Sequence, residues 1–187
     1  MTRQTEVTIK MRQIVVDWMM ELSDKLRLGL DTTFLAVYIL DCTLSKMPAN
    51  RDNIQCIAVV SMFIATKLEE EHDVPMGDFI YLSDNALTNV QICDCEREVL
   101  KAIDYRLNTP SPLQFLQRFS LASKNDLTLH LAAKYIIEMT MLDYSMLSFL
   151  PSQLAAGAVY LVNWIYNAPP YWVSPYKQFI SHYHNRL

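Results

Sequence analysis

Glycine is scarce in this chain, with three glycines among 187 residues. Because glycine supplies the positive φ angles that tight hairpin turns need, so low a count argues against a turn-rich β architecture. It also argues against a glycine-rich phosphate loop, and neither a GxGxxG motif nor a P-loop is present. The sequence predicts a helical protein without these two nucleotide-binding motifs.

A strong excess of charge of one sign is also lacking. The formal net charge is −4, which gives no electrostatic reason to expect nucleic-acid binding. No apolar run reaches the length of about 20 residues that a membrane-spanning helix needs, and we find no signal peptide or lipidation motif. Hydrophobic residues make up 51% of the chain, which is typical of a packed globular protein. We expect neither nucleic acid nor membrane among its partners.

No residue pattern indicates catalysis or metal binding. Cys93 and Cys95 have no second pair at zinc spacing, the four histidines are scattered, and no GxSxG motif occurs. We therefore expect no metal, no cofactor and no enzymatic activity. All four cysteines, Cys42 and Cys56 included, sit within helical patterns, as is typical of free thiols in a reducing compartment. This usage predicts the nucleus and the cytoplasm.

One stretch organises the first half of the chain. Residues 54–65 are apolar on almost every face, which predicts a helix buried on all sides. The stretch then ends in Lys67 and Leu68 followed by three glutamates, residues 69–71. Carboxylates at a helix C-terminus oppose the macrodipole, so local stability does not explain them. Either they are solvated just past the helix end, or they are placed for a partner.

Helical patterns fill the chain in two successive groups. Five helices are expected in residues 1–107, the second of them capped by Asp31. Residues 108–112, with two prolines among small polar residues, predict a linker. Residues 113–187 repeat the format, with a second apolar hub at 153–166. We expect an all-α fold of two lobes, the second of which lacks its last helix.

Three charged residues stand where helical periodicity predicts core. A lone charge on such a face is costly unless it is paired. The simplest arrangement is a buried structural pair of Arg12 with Asp41 between the first two helices. Glu96 is left with Lys67: the two either pair with each other or reach the backbone of a partner, and both can hold.

The first helix is more apolar than one face can hide. Met11, Ile14, Val15 and Trp18 recur at helical spacing. Burial in the core is the default expectation for such a stripe. The alternative is an exposed apolar patch, which indicates partner binding.

Four motifs and one further residue resemble the cyclin family. MRQIVVDW at residues 11–18 resembles the signature that opens the cyclin box, and KLEE at 67–70 resembles its K-(F/Y)-E-E. YLSDN at 81–85 resembles the YI(T/S)DN turn, and LPSQLAAGA at 150–158 resembles the PS-x-x-AA-x-A run of the second box. Glu96 falls where the family has its glutamate. The wording is most like the mitotic A/B-type cyclins, with B-type preferred.

The resemblance implies two tandem cyclin-box domains without catalytic activity. It implies a regulatory subunit that binds a cyclin-dependent serine/threonine protein kinase, moves the kinase αC helix inward and so activates it, with control of the cell cycle at G2/M. It also implies recruitment of substrates or inhibitors that contain Arg-x-Leu. The alternatives are a transcription-type cyclin-box protein and a minimal pathogen cyclin mimic.

The resemblance also assigns residues to two surfaces. The kinase-contact residues that it implies are Lys67, Leu68, Glu69, Glu70, Glu96, Tyr105 and Leu107. The docking-patch residues that it implies, for Arg-x-Leu peptides, are Met11, Ile14, Val15, Trp18, Glu21, Ile54 and Gln55. Arg12 and Asp41 match the internal pair of the family. Leu68 replaces the usual aromatic residue and Val15 a leucine, so a weaker apolar kinase contact and a shallower patch are expected.

Overall fold

A computed structural model of the chain describes residues 4–166. Within that range the all-helical prediction is confirmed, because the elements are α-helices and one 3₁₀ helix, without a strand. The helices are α1 (Ile9–Leu26), α2 (Leu30–Lys46), α3 (Ile54–Glu69), α4 (Met76–Leu82), α5 (Asn89–Ala102), α6 (Pro112–Ala122), α7 (Leu127–Thr140), the 3₁₀ helix Tyr144–Ser148 and α8 (Pro151–Ile165). The chain forms two compact units that divide between Thr109 and Pro110. The predicted last helix, at residues 175–185, lies outside the described residues.

Helix α3 is the centre of the first unit. It packs against α1, α2, α4 and α5. Every residue from Ile57 to Thr66 is buried, and ten consecutive residues cover all faces of a helix, so the predicted hub is confirmed. Two polar side chains in this run bond to their own helix: Ser61 Oγ donates to the Ile57 carbonyl at 2.7 Å, and Thr66 Oγ1 to the Phe63 carbonyl at 2.9 Å. The buried hydroxyls therefore have partners.

Helix α1 turns a different face to the core from the one expected. It begins after Thr8, whose side chain accepts a hydrogen bond from the Met11 amide, and its buried residues are Arg12, Val16, Met19, Leu22 and Ser23. The default expectation that the apolar stripe forms the core is wrong. Met11, Val15 and Trp18 are half-buried, and Ile14 is 59% exposed. The core face runs beside the stripe because it contains Arg12, which hydropathy alone places outside.

Arg12 is fully buried and forms a bidentate ion pair with Asp41 of α2. Its Nε lies 2.6 Å from Asp41 Oδ1, and its Nη2 lies 2.7 Å from Oδ2. The Asp41 side chain is 14% exposed. Such a fork-to-fork geometry fixes the relative orientation of two helices as well as neutralising the buried charge. This is the pairing that the sequence analysis proposed for these two residues.

The segment before α1 is tied to the connection between α2 and α3 by one side chain. Gln4 Nε2 donates to the carbonyls of Leu44 and Met47, both at 2.6 Å, and Gln4 Oε1 accepts from the Ala49 amide at 2.8 Å. These bonds satisfy backbone groups where α2 ends, which would otherwise need another partner. Sequence patterns did not indicate this role.

The second unit is built on α8, which packs against α6 and α7. Its small residues Ala155, Ala156 and Ala158 are buried, which allows close approach of the neighbouring helices. The expectation of a second hub that is apolar and buried all round is wrong for the described part of the chain. Trp164 is 69% exposed, and Ile165 is 54% exposed. The reason is that α8 packs against two helices here, whereas α3 packs against four.

Replacement of Asp41 by alanine tests the buried pair. The guanidinium of Arg12 then stays buried without this carboxylate, so we expect the free energy of unfolding to fall by about 3 kcal/mol or more. Urea denaturation of both proteins measures the difference. As a control, Asp104→Ala breaks the exposed pair with Lys46 and should cost at most about 1 kcal/mol. Equal losses in the two variants would contradict a special role for the buried pair.

Candidate functional site

The last turn of α3 carries an ion pair with α5. The Lys67 ammonium donates to the Glu96 carboxylate. The Lys67 side chain is 44% exposed, while that of Glu96 is 18% exposed. Of the two partners considered for these residues from the sequence, the structure shows each other; a contact with a second protein stays a prediction.

Two aromatic rings position the lysine. Lys67 Nζ lies 4.2 Å from the ring centroid of Phe63, one turn earlier on the same face of α3. Phe63 in turn packs edge-to-face on Phe79 of α4, with centroids 5.6 Å apart and an interplanar angle of 74°. Phe79 is fully buried. The ammonium is therefore held by a series of contacts that starts in the core.

The pair has hydrogen-bonding capacity to spare. An ammonium has three donors and a carboxylate accepts through two oxygens, whereas the contact between Lys67 and Glu96 uses one of each. The arrangement can therefore offer donors to the carbonyls of a second chain and an acceptor to its amides. Lys67 and Glu96 suit recognition of a backbone rather than of one side chain.

Apolar and acidic residues follow the pair. Leu68 is 53% exposed, and Glu69 is exposed beside it. Beyond the end of α5, Tyr105 is 64% exposed and Leu107 is half-buried. The structure joins Lys67 and Glu96 directly and leaves Leu68 and Tyr105 accessible.

The exposure of Tyr105 follows from the way in which α5 ends. Asp104 and Tyr105 both have left-handed backbone conformations, with φ of 55° and 56°. This conformation is unfavourable for residues other than glycine and is enriched at functional sites. Lys46 of α2 holds the turn through its ion pair with Asp104 at 3.0 Å, and the hydrogen bond and charge of Lys46 lower the pKa of the Asp104 carboxyl.

Glu70 has a structural role that the sequence analysis missed. Its Oε1 accepts from the Gly29 amide at 2.7 Å and from Thr32 Oγ1 at 2.5 Å, at the start of α2. The expected cap, Asp31, lies in the first turn of α2, and the N-cap is Gly29, which has no side chain to accept. Glu70 thus supplies from the end of α3 the acceptor that α2 lacks. A glycine at the N-cap position was the one local signal for a remote acceptor.

The docking-patch residues lie on two helices that pack together, α1 and α3. On α1, Ile14 and Glu21 are exposed, while Met11, Val15 and Trp18 are half-buried. On α3, Ile54 and Gln55 form the first turn; the list of half-buried residues includes Gln55, and Ile54 is buried. Ile54 can therefore support such a surface from below but offers little area to a ligand.

Two family models match the chain in succession. The cyclin N-terminal domain matches residues 1–108, and the cyclin C-terminal domain matches residues 110–186. The chain belongs to the cyclin family. The resemblance of the sequence motifs to cyclins is thereby confirmed, and the two units of the structure correspond to the two matched domains.

Curated relatives of this cyclin carry mitotic names. It is 40% identical to G2/mitotic-specific cyclin-B of Hydra viridissima over 86% of the chain and 41% of the relative, and 36% identical to G2/mitotic-specific cyclin-B2 of Oryzias latipes over 97% of the chain and 47% of the relative. The chain thus spans less than half the length of these relatives. The preference for the B-type group agrees with them.

Solved structures share the fold. A viral cyclin from herpesvirus saimiri is 25% identical and superposes with a TM-score of 0.81 over 95% of this chain and 80% of the viral one. A structure of the CAK complex from Chaetomium thermophilum bound to ATP-gamma-S contains a chain that superposes with a TM-score of 0.67 at 15% identity, over 83% of this chain and 52% of that one. The second likeness concerns the fold alone.

Two kinds of site were searched for among residues 4–166. None of the helices in that part of the chain is both long and apolar enough to cross a membrane. The same residues contain no group of three or more histidine, cysteine or acidic side chains placed to hold a metal ion.

Replacement of Glu70 by alanine tests its capping role. The Gly29 amide and the Thr32 hydroxyl then lose their acceptor, so we expect the free energy of unfolding to fall by about 1 to 2 kcal/mol. Urea denaturation measures the loss. Glu69→Ala is the matched control, since this neighbouring glutamate is exposed, and it should change stability by less than about 0.5 kcal/mol. A Glu70→Ala variant as stable as the control would remove the capping assignment.

Proposed function

We propose that this cyclin is a non-catalytic regulatory subunit that binds and activates a cyclin-dependent serine/threonine protein kinase at G2/M. The observation that carries the proposal is the Lys67–Glu96 pair, which is preformed at an accessible edge beside Leu68 and Tyr105. Support also comes from relatives named G2/mitotic-specific cyclin-B at 36–40% identity. Their names favour this function over the transcription-type alternative.

The surface suits a helix of the kinase. Leu68, Tyr105 and Leu107 would supply the apolar contact, while Lys67 and Glu96 would hydrogen-bond the kinase backbone. Glu69 and Glu70 would lie at the acidic edge. Because a partner excludes water from this region, it lowers the local dielectric and strengthens the ion pair that is already formed. In the kinase, inward movement of the αC helix completes the Lys–Glu ion pair and reorders the activation loop.

Binding and stimulation of a kinase provide the first test. We expect the chain to co-elute with a purified cyclin-dependent kinase and to raise its phosphorylation of histone. Lys67→Ala combined with Glu96→Ala should weaken binding at least tenfold, because the contacts to the kinase backbone are lost. The double change removes both charges, so no orphaned charge should lower stability by more than about 1 kcal/mol. Titration calorimetry and urea denaturation measure the two effects.

A second ion pair on α5 provides the control for this variant. Asp94 and Arg97 form an exposed pair on the same helix, so Asp94→Ala combined with Arg97→Ala removes the same charges away from the proposed contact. We expect kinase affinity within about twofold of the parent. If no cyclin-dependent kinase binds or is stimulated, the proposed function fails; if both double variants bind alike, the contact residues are misassigned.

We also infer that α1 and the start of α3 recruit Arg-x-Leu substrates or inhibitors. The apolar side chains of Met11, Ile14, Val15 and Trp18 reach the surface beside the core face of α1 and would receive the leucine. The exposed carboxylate of Glu21 would receive the arginine, an interaction that screening by salt would weaken. Gln55 offers an amide for the peptide backbone.

Replacement of Ile14 by alanine tests this surface. Because Ile14 is 59% exposed, its loss should leave the fold intact while removing apolar contact area. We expect kcat/KM for an Arg-x-Leu substrate to fall about threefold to tenfold, through KM, and kcat/KM for a short peptide without the motif to stay the same. Equal losses for both substrates would argue against docking at this surface. Leu121→Ala, at a leucine that is 71% exposed in the second unit, is the control.

The proposed role places the protein in the nucleus and the cytoplasm, where such kinases and their substrates meet. Four free cysteines among the described residues agree with a reducing compartment. A tagged chain that resides instead in a secretory compartment would contradict this location and the proposed function together.

A further inference from the structure

Two of the four cysteines meet between the helices of the first unit. Cys56 lies in the first turns of α3, Cys95 lies in the middle of α5, and these two helices pack against each other. Their thiols share a hydrogen bond. Both residues are half-buried, so the pair is packed yet within reach of a small oxidant.

We propose that Cys56 and Cys95 form a redox-active dithiol that a hydroperoxide converts into an intramolecular disulfide. The bond would link α3 covalently to α5. The two thiols come from different helices and already touch, which is the geometric condition that most cysteine pairs in a fold do not meet. In a reducing compartment such a disulfide is transient and reports oxidation rather than supporting the fold.

The chemistry divides between the two sulfurs. The Cys56 thiolate attacks one peroxide oxygen, the O–O bond breaks, and the leaving oxygen takes a proton, giving a sulfenic acid and water or an alcohol. The Cys95 sulfur then attacks the Cys56 sulfur and displaces the hydroxyl as water. Overall, two thiols lose two electrons and two protons to one hydroperoxide. Reduction by a dithiol reverses the change.

The surroundings of the thiols favour Cys56 as the first sulfur to react. The hydrogen bond from Cys95 lowers the pKa of the Cys56 thiol, whereas that same bond and burial raise the pKa of the Cys95 thiol. The nearby Glu98 carboxylate acts against ionisation of both. A thiolate is the reactive form toward peroxide, so Cys56 suits the attacking role and Cys95 the resolving role.

The other two cysteines do not share this arrangement. Cys93 is exposed on α5, two positions from Cys95, and so projects from a different face of the helix. Cys42 lies on α2, where burial raises the pKa of its thiol and Tyr38 hydrogen-bonds it. Cys93 therefore provides a control for simple exposure, since it is the more accessible thiol of α5.

Peptide mapping of the oxidised chain tests the proposal. The reduced chain is treated with a small excess of hydrogen peroxide, its remaining thiols are blocked with N-ethylmaleimide, and it is digested with trypsin without reduction. Cys56 falls in the tryptic peptide 52–67 and Cys95 in the peptide 68–97, which also contains Cys93. Fragmentation of the linked peptide by mass spectrometry therefore identifies which of the two cysteines is joined to Cys56.

We expect most molecules to carry the Cys56–Cys95 link and to lose it with dithiothreitol. Cys93→Ser should form the link as the parent does, whereas Cys95→Ser should form none and should accumulate a Cys56 sulfenic acid that dimedone labels. A chain in which peroxide oxidises Cys93 while Cys56 and Cys95 stay unlinked would overturn the proposal, as would a link through Cys93 alone. The parent chain decides the question even if Cys95→Ser fails to fold, and no kinase is needed.

Discussion

The first unit depends on the complete burial of α3. Ten consecutive residues of this helix are inaccessible to solvent, so every face needs a neighbour, and α1, α2, α4 and α5 supply them. A buried apolar side chain of this size contributes about 2 kcal/mol, which makes α3 the main source of apolar stabilisation in this unit. The two ends of the helix are therefore fixed in position. Lys67 stands at one end, and Ile54 and Gln55 stand at the other.

The glutamates after α3 illustrate how one sequence feature can combine two physical causes. Carboxylates are unfavourable at the C-terminus of their own helix, but Glu70 faces the N-terminus of α2, where the macrodipole and the unpaired amides favour a negative charge. The cost in one helix is thus offset in another. Glu69 has no such partner in the contacts of α2 and stays exposed beside Leu68. Glu70 consequently anchors the turn that presents its neighbours.

The features that could be predicted from the sequence are those that depend on local periodicity. The helices, the α3 hub and a partner for Arg12 all follow from where apolar residues recur and from the high free energy of a lone buried charge. The features that could not be predicted depend on contacts between distant residues. Gln4, Glu70 and the Cys56–Cys95 contact join segments that are 38 or more positions apart, and no spacing rule indicates them.

The face of α1 shows where periodicity itself misleads. Hydropathy assigns the core to the stripe that contains Trp18, yet the buried face includes Arg12, because a bidentate partner on α2 makes a fully buried guanidinium acceptable. Once Arg12 belongs inside, the apolar stripe is displaced to the flank and part of it reaches solvent. The same buried ion pair that orients α1 on α2 is thus the reason why an apolar surface remains for a peptide. A structural pair and a binding surface are here two consequences of one residue.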